Sequence, residues 1–135
     1  MEIKRIALQT HGDQRGMLVA LEEAKNVPFT IKRVYYLFDT KDGVRRGFHA
    51  HRNLKQLAIA VRGSVRFHLD DGFETADILL DDPGQGLLLD RMIWREMYDF
   101  SEDCVLMVLA DQLYDVDDYI RDYDEFLSIA KGERR

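Results

Sequence analysis

Short segments that suit β-strands follow one another along almost the whole chain, and this pattern constrains the fold more than any other feature. Each segment is rich in β-branched and aromatic residues, and turn residues separate it from the next. The segments are 17–22, 31–38, 45–51, 55–61, 65–70, 75–80, 86–89, 93–100 and 104–110. So many short strands predict one all-β domain over residues 1–135 that closes into a barrel, because closure removes exposed sheet edges.

Turns and one helix complete the predicted fold. We expect Arg62-Gly63 to close a hairpin between segments 55–61 and 65–70, and Asp71-Gly72 to form the next tight turn. Near the C-terminus the apolar residues recur at helical spacing instead. This change of period predicts a short C-terminal helix over residues 117–131, whose aromatic side chains pack on the barrel.

Charge and cysteine content limit the partners and the compartment. The formal net charge of −6 excludes a general nucleic-acid binder, because such proteins need a basic face. Cys104 is the one cysteine, so no internal disulfide can form, and its apolar neighbours predict a buried thiol in a reducing compartment. No apolar run is long enough to cross a bilayer. We therefore expect a cytoplasmic protein with neither nucleic acid nor membrane as a partner.

His49 and His51 form the densest chemical feature of the sequence. Side chains two residues apart in a strand point to the same face, so the two imidazoles should lie together, and Gly47 leaves space beside them. Two imidazoles on one strand face serve either metal ligation or proton transfer. The residue types at the neighbouring positions decide between these two uses.

Around this pair the chain resembles the cupin superfamily. The spacing of the first cupin motif is matched by Gly47, His49, His51, Gln56 and Gly63. In the second motif, Arg95 stands where cupins supply a third histidine ligand. Gln is a weak neutral ligand, and Arg is always protonated and has no lone pair to donate. The resemblance thus implies an RmlC-like jelly-roll cupin barrel, and these two substitutions predict that it binds no metal.

A narrower resemblance covers nearly the whole chain, which is similar to the WxcM-like and FdtA-like sugar 3,4-ketoisomerases that act on dTDP-4-keto-6-deoxyglucose. The matching segments are 13–18, 28–36, 46–51, 94–97 and 118–121. The resemblance implies an isomerase that moves a ketone from C4 to C3 through an enediol, without a cofactor. It also implies a homodimer with strand exchange, which supplies intermediates for 3-amino-3,6-dideoxyhexoses of bacterial surface glycans.

The same resemblance implies roles for individual residues. His51 would remove the proton from C3, and His49 would move protons between the sugar oxygens, work that suits groups titrating near neutral pH. The residues expected to bind the sugar or its diphosphate are Arg33, Tyr36, Arg46, Gln56, Arg95 and Tyr98. In a regular strand Arg46 would point away from the histidines, so its role requires a local bulge. Many family members have histidine in place of Arg95, so the details of proton transfer stay open.

Three other functions remain open at this point. A related nucleotide-sugar epimerase would pair its histidine base with an aspartate and a tyrosine, which the sequence does not indicate around His49 and His51. A non-catalytic dTDP-sugar-binding cupin would keep the fold without the activity. A metal-dependent cupin is disfavoured by Gln56 and Arg95. The C4 configuration of the product also stays open, although the segment 39–51 favours a galacto-like over a gluco-like product.

Overall fold

The computed structural model describes residues 1–133, which form twelve β-strands, one 3₁₀ turn and one α-helix. In chain order the strands are β1 (Lys4–Ala7), β2 (Thr10–Asp13), β3 (Gly16–Val19), β4 (Arg33–Leu37), β5 (Arg46–His51), β6 (Gln56–Arg62), β7 (Val65–Asp70), β8 (Thr75–Leu80), β9 (Gln85–Leu89), β10 (Trp94–Tyr98), β11 (Val105–Ala110) and β12 (Tyr119–Ile120). The 3₁₀ turn spans Val116–Asp118, and the helix α1 spans Tyr123–Glu133.

Two five-stranded antiparallel sheets pack face to face and enclose the barrel interior. The first sheet has the strand order β1-β9-β6-β11-β4, and the second has the order β12-β5-β10-β7-β8. Strands β2 and β3 form a separate hairpin. The prediction of an all-β barrel with a short C-terminal helix is therefore confirmed.

The side chains that point into the barrel are apolar at one end of the interior and polar at the other. At the apolar end, the second sheet contributes Phe67 and Leu80, and the first sheet contributes Leu87 and Leu106, all of them fully buried. The polar end is lined by inward side chains of β4, β5, β6, β10 and β12. The apolar end forms a packed core. The polar end can therefore carry functional side chains without interrupting that core.

The predicted hairpin between segments 55–61 and 65–70 is wrong, because β6 and β7 belong to different sheets. The chain passes between the sheets at Gly63, whose φ of 70° lies in the left-handed region. Reciprocal hydrogen bonds between Ser64 and Ser101 hold this crossing, each 2.9 Å long. Neighbouring strand segments joined by a short turn can thus form an arch between sheets as well as a hairpin. The Asp71-Gly72 turn, in contrast, does join the paired strands β7 and β8.

The C-terminal helix begins later than the predicted residue 117. Asp115 caps the 3₁₀ turn, and Tyr119 and Ile120 then run extended and pair with β5. The side chain of Asp122 accepts hydrogen bonds from the next turn of backbone amides, which is the geometry of a helix N-cap. Residues 117–120 therefore form part of the barrel wall.

Cys104 is buried, as its apolar neighbours predict. Each segment predicted to be a strand overlaps a strand of the structure, while β1, β2 and β12 lie outside the predicted segments. Within residues 1–133, no helix has the length and apolar character needed to cross a membrane.

Candidate active site

A β-bulge in β5 shapes the backbone beside the two histidines. Arg95 lies opposite His49 and Glu96 lies opposite Gly47, so Phe48 is an extra residue in β5. Gly47 has a φ of 96°, and a Cβ atom there would lie 2.8 Å from the carbonyl oxygen of Arg95. This close approach requires glycine. It allows β5 and β10 to stay paired while the strand twists.

Both histidines point into the barrel, with ring centroids 4.9 Å apart and planes nearly perpendicular. The Nδ1–H group of His49 donates to the carbonyl oxygen of Gly47 at 2.9 Å. The Nδ1–H group of His51 donates to Oδ2 of Asp118 at 3.0 Å. Because these oxygens accept hydrogen bonds, each imidazole keeps its proton on Nδ1 and leaves a lone pair on Nε2. The geometry therefore provides two potential proton acceptors side by side.

Asp118 is a buried carboxylate, and it was not predicted as a site residue. Besides His51, it accepts hydrogen bonds from the backbone amides of Asn53 at 2.8 Å and Leu54 at 3.3 Å. The sequence does not indicate an aspartate beside the histidines, whereas the structure brings Asp118 into contact with His51. Asp118 lies 67 positions from His51 in sequence, within a segment that was assigned to the helix.

Arg95 connects the histidines to the opposite sheet through Gln56 and Tyr35. Its Nη1 donates to Oε1 of Gln56 at 2.6 Å, and Nε2 of Gln56 donates to the Tyr35 hydroxyl at 3.1 Å. Its Nε donates to the carbonyl oxygen of Ile93 at 3.1 Å. Arg95 is 2 % exposed, so this cation lies in the barrel interior with only neutral oxygens as hydrogen-bond partners.

Arg33 approaches the same cluster from β4. Its guanidinium lies 5.4 Å from the ring centroid of Tyr35 and 5.7 Å from that of Tyr114. Buried nitrogen and oxygen atoms without a hydrogen-bond partner are rare in folded proteins. In the described chain these atoms are Arg33 Nε and Nη2, Thr40 Oγ1, His51 Nε2 and Arg95 Nη2. All except Thr40 Oγ1 belong to this cluster, which therefore offers unpaired cationic donors beside an unpaired imidazole nitrogen.

Burial and the concentration of positive charge control protonation in the cluster. Burial, reinforced by the charge of Arg95, lowers the pKa of His49 to about 4 and also lowers the pKa of His51. Both imidazoles are thus neutral near pH 7. Burial lowers the pKa of Arg95 to about 10, which still leaves the guanidinium protonated. Burial also raises the pKa of Tyr35, whose phenol keeps its proton.

Tyr119 lies over both imidazoles, and sequence reasoning assigned its ring to helix packing. Its ring centroid is 4.9 Å from that of His49 and 4.4 Å from that of His51. The guanidinium of Arg121 lies 4.2 Å from the centre of the same ring. A signal for this placement was present, since 118–121 is one of the segments that match the ketoisomerases.

Three residues predicted to bind substrate lie outside the cluster. Tyr36 is on the outer face of β4, is 61 % exposed and contacts Phe38. Tyr98 is on the outer face of β10, where its hydroxyl donates to Asp77 at 2.7 Å. Arg46 is exposed at the start of β5, although the bulge that its role required is present.

The strand period explains these positions. Arg33 and Tyr36 are three residues apart, as are Arg95 and Tyr98, so the members of each pair must face opposite sides of their strand. Since Arg33 and Arg95 point inward, the tyrosines point outward. The same alternation identifies Tyr35 as the inward tyrosine of β4, a residue that the sequence prediction did not include.

Metal binding requires several convergent ligands. Among residues 1–133, no group of three His, Cys, Asp or Glu side chains could hold a metal ion. The groups next to the histidines are the amide of Gln56 and the guanidinium of Arg95, which is a poor donor set for a cation.

Comparisons with known proteins identify a matching family and similar relatives. A family model described as "FdtA: WxcM-like, C-terminal" matches residues 1–131. A curated relative from Aneurinibacillus thermoaerophilus, named TDP-4-oxo-6-deoxy-alpha-D-glucose-3,4-oxoisomerase, is 55 % identical over 126 residues. That match covers 93 % of this chain and 91 % of the relative.

Solved structures are also similar. QdtA, a sugar 3,4-ketoisomerase from Thermoanaerobacterium thermosaccharolyticum solved in complex with TDP, has a TM-score of 0.95 at 41 % identity. The match covers 97 % of this chain and 96 % of that chain. A dTDP-4-dehydrorhamnose 3,5-epimerase from Bacillus anthracis has a TM-score of 0.75 at 17 % identity, covering 87 % of this chain and 77 % of that one, which shows a common fold alone.

Proposed function

Since the chain belongs to the FdtA family, we propose that it is a 3,4-ketoisomerase that converts dTDP-4-keto-6-deoxyglucose to the corresponding 3-keto sugar. One observation carries this proposal. Unpaired guanidinium nitrogens of Arg33 and Arg95 lie in the same buried cluster as the unpaired Nε2 of His51. An anionic sugar substrate would satisfy the cations, and an acidic C–H or O–H group of that substrate would meet the imidazoles.

The reaction needs two proton transfers and no net oxidation. The C3–H bond breaks and a C4–H bond forms, while the hydroxyl proton at O3 moves to O4. An enediol joins the two halves of the reaction. One neutral imidazole removes the C3 proton and returns it to C4, and the other carries the proton between the oxygens.

The hydrogen-bond partners distinguish the two histidines. The Nδ1–H group of His51 donates to the carboxylate of Asp118, whereas the Nδ1–H group of His49 donates to the neutral carbonyl of Gly47. A carboxylate partner stabilises the imidazolium that forms when a histidine base takes up a proton. We therefore assign C3 deprotonation to His51 and the transfer between oxygens to His49.

The cations have a separate task. Arg95 lies opposite His49 in the strand pairing, where its free Nη2 can stabilise negative charge on the enediolate oxygens. Arg33, whose guanidinium lies near the rings of Tyr35 and Tyr114 and has unpaired nitrogens, is the residue we propose for the diphosphate. Gln56 holds Arg95 against Tyr35, so its contribution is to orient the guanidinium.

The proposal includes a homodimer with strand exchange. The outer face of β4 exposes Val34, Tyr36 and Phe38, and the β2–β3 hairpin exposes Met17 and Leu18 at 71 % and 60 %. Contiguous exposed apolar side chains mark interaction surfaces, and β4 ends the first sheet with a free edge. The β2–β3 hairpin of a partner subunit is the occupant we assign to this edge.

A cytoplasmic location completes the proposal, supported by the single unpaired cysteine.

Conversion of the sugar in deuterated water tests the activity. We expect NMR to show the carbonyl moving from C4 to C3, with deuterium at C4 of the product and at C3 of recovered substrate, in the presence of a chelator. Deuterium at C5 would instead indicate a related nucleotide-sugar epimerase. This second candidate is favoured by the Asp118–His51 pair, because such epimerases pair the histidine base with an aspartate. Binding of the sugar without any exchange would identify a non-catalytic binding protein.

A further inference from the structure

The hydrogen bond between Asp118 and His51 joins segments that are far apart in sequence. Asp118 ends the 3₁₀ turn, and the next residue, Tyr119, pairs with His51 across β12 and β5. The carboxylate is 5 % exposed, and its hydrogen bonds to the amides of Asn53 and Leu54 fix its orientation. It is held in place independently of the histidine that it contacts.

A carboxylate on Nδ1 determines which imidazole nitrogen is available. A carboxylate accepts but does not donate a hydrogen bond, so His51 must carry its proton on Nδ1. Its Nε2 then has a lone pair from the first step of the reaction. If Nε2 carried the proton instead, it could not accept the C3 proton of the substrate.

We infer that Asp118 is a positioning residue that holds His51 in the Nδ1–H tautomer, so that Nε2 can accept the C3 proton and return it to C4. This inference rests on the role proposed above for His51. Asp118 does not touch the substrate, and it acts through the imidazole alone.

The tautomer can be measured directly in the unmodified protein. In ¹⁵N NMR spectra of histidine-labelled protein between pH 6 and 8, we expect the His51 signals of a neutral Nδ1–H imidazole. Spectra with the proton on Nε2 would overturn the inference, whatever the activity of the protein. Because this measurement needs no substrate, it is also independent of whether the proposed reaction occurs.

Asp118→Asn tests the catalytic consequence. An asparagine keeps the shape and can still accept a backbone amide, but its NH₂ group facing His51 favours protonation at Nε2. We expect the NMR tautomer to switch and kcat to fall by about 10²- to 10⁴-fold, with KM and dTDP affinity within about threefold of the unsubstituted protein. Reversal of the tautomer with unchanged kcat would contradict the inference.

Asp70→Asn is the matched control. Asp70 is another buried carboxylate of the second sheet, and it accepts hydrogen bonds from a tyrosine hydroxyl, Tyr123, and from the amide of Gly72. Asp70→Asn should lower thermal stability but keep the His51 tautomer and kcat. Equal losses of kcat in both variants would show a general stability effect and overturn the inference. If Asp118→Asn does not fold, the tautomer of the unmodified protein decides.

Discussion

Both faces of β10 carry charged and polar side chains, but these side chains differ in how completely they are hydrogen-bonded. On the inner face, Arg95 lies near His49 and His51 with hydrogen-bonding atoms unpaired. On the outer face, Glu96 accepts from Arg45 and Trp94, each at 2.8 Å, and Asp77 accepts from Tyr98 and His68. Titratable groups are thus abundant on both faces. Unpaired buried atoms distinguish the candidate site from the part of the sheet that serves stability.

The largest expected effect comes from the inner histidines. His51→Asn should lower kcat by about 10²- to 10⁴-fold and abolish deuterium exchange at C3, because the base is lost. His49→Asn should lower kcat to a similar extent yet retain exchange at C3, because His51 can still remove that proton. NMR of the sugar in deuterated water measures both quantities. The opposite pattern of exchange would assign the base role to His49.

The pH dependence of stability should report the burial of His49 on the inner face. Unfolded histidine takes up a proton below about pH 6.5, whereas the lowered pKa of His49 delays this to about 4 in the folded protein. The unfolded state therefore binds more protons in this window, and the free energy of unfolding falls as the pH falls. We expect His49 to contribute about 3 kcal/mol to this fall. Urea titrations at several pH values measure it, and an equal slope in His49→Asn would contradict it.

Removal of the inner cation proposed for the diphosphate should weaken ligand binding. Arg33→Met takes away a charged donor, and such hydrogen bonds contribute about 1.5–3 kcal/mol, so the Kd for dTDP should rise about 10- to 100-fold. Isothermal titration calorimetry gives the Kd. The matched control is Arg45→Met on the outer face, where Arg45 contacts Glu96 and the ring of Tyr98. An equal loss of affinity in the control would remove the difference between the faces.

The smallest effects are expected on the outer face. Tyr98→Phe and His68→Asn each remove a hydrogen bond to Asp77, which should change stability by about 1 kcal/mol. Turnover should stay within about twofold, because neither side chain reaches the barrel interior. Thermal unfolding and a progress curve check both values. A tenfold loss of kcat in Tyr98→Phe would support the substrate-binding role predicted from the sequence.

Local periodicity made most of the site predictable. The strand period and the motif spacing bring His49, His51, Gln56 and Arg95 together, and the structure confirms that grouping. The same period, applied consistently, would have selected Tyr35 over Tyr36. Periodicity shows which side of a strand a residue occupies. It therefore predicts correctly which residues of one strand share a face.

Relations between distant segments could not be read in this way. Asp118 contacts His51 because Tyr119 and Ile120 are extended and pair with β5 before the helix begins. The apolar residues of the helix recur at helical spacing, and this pattern led to the prediction that the helix starts at residue 117. The arch at Gly63 is similar, because both a hairpin and a crossing between sheets suit the same short turn. In both places the partner strand, and not the local sequence, decides the outcome.

Ligand-induced shifts of the histidine side chains test the central claim most directly. The chain has four histidines, of which His49 and His51 lie in the inner cluster and His68 lies on the outer face. On titration of ¹⁵N-histidine-labelled protein with dTDP-4-keto-6-deoxyglucose, we predict that the side-chain signals of His49 and His51 move, while those of His68 stay in place. Movement of the His68 signals with unchanged His49 and His51 signals would contradict the account.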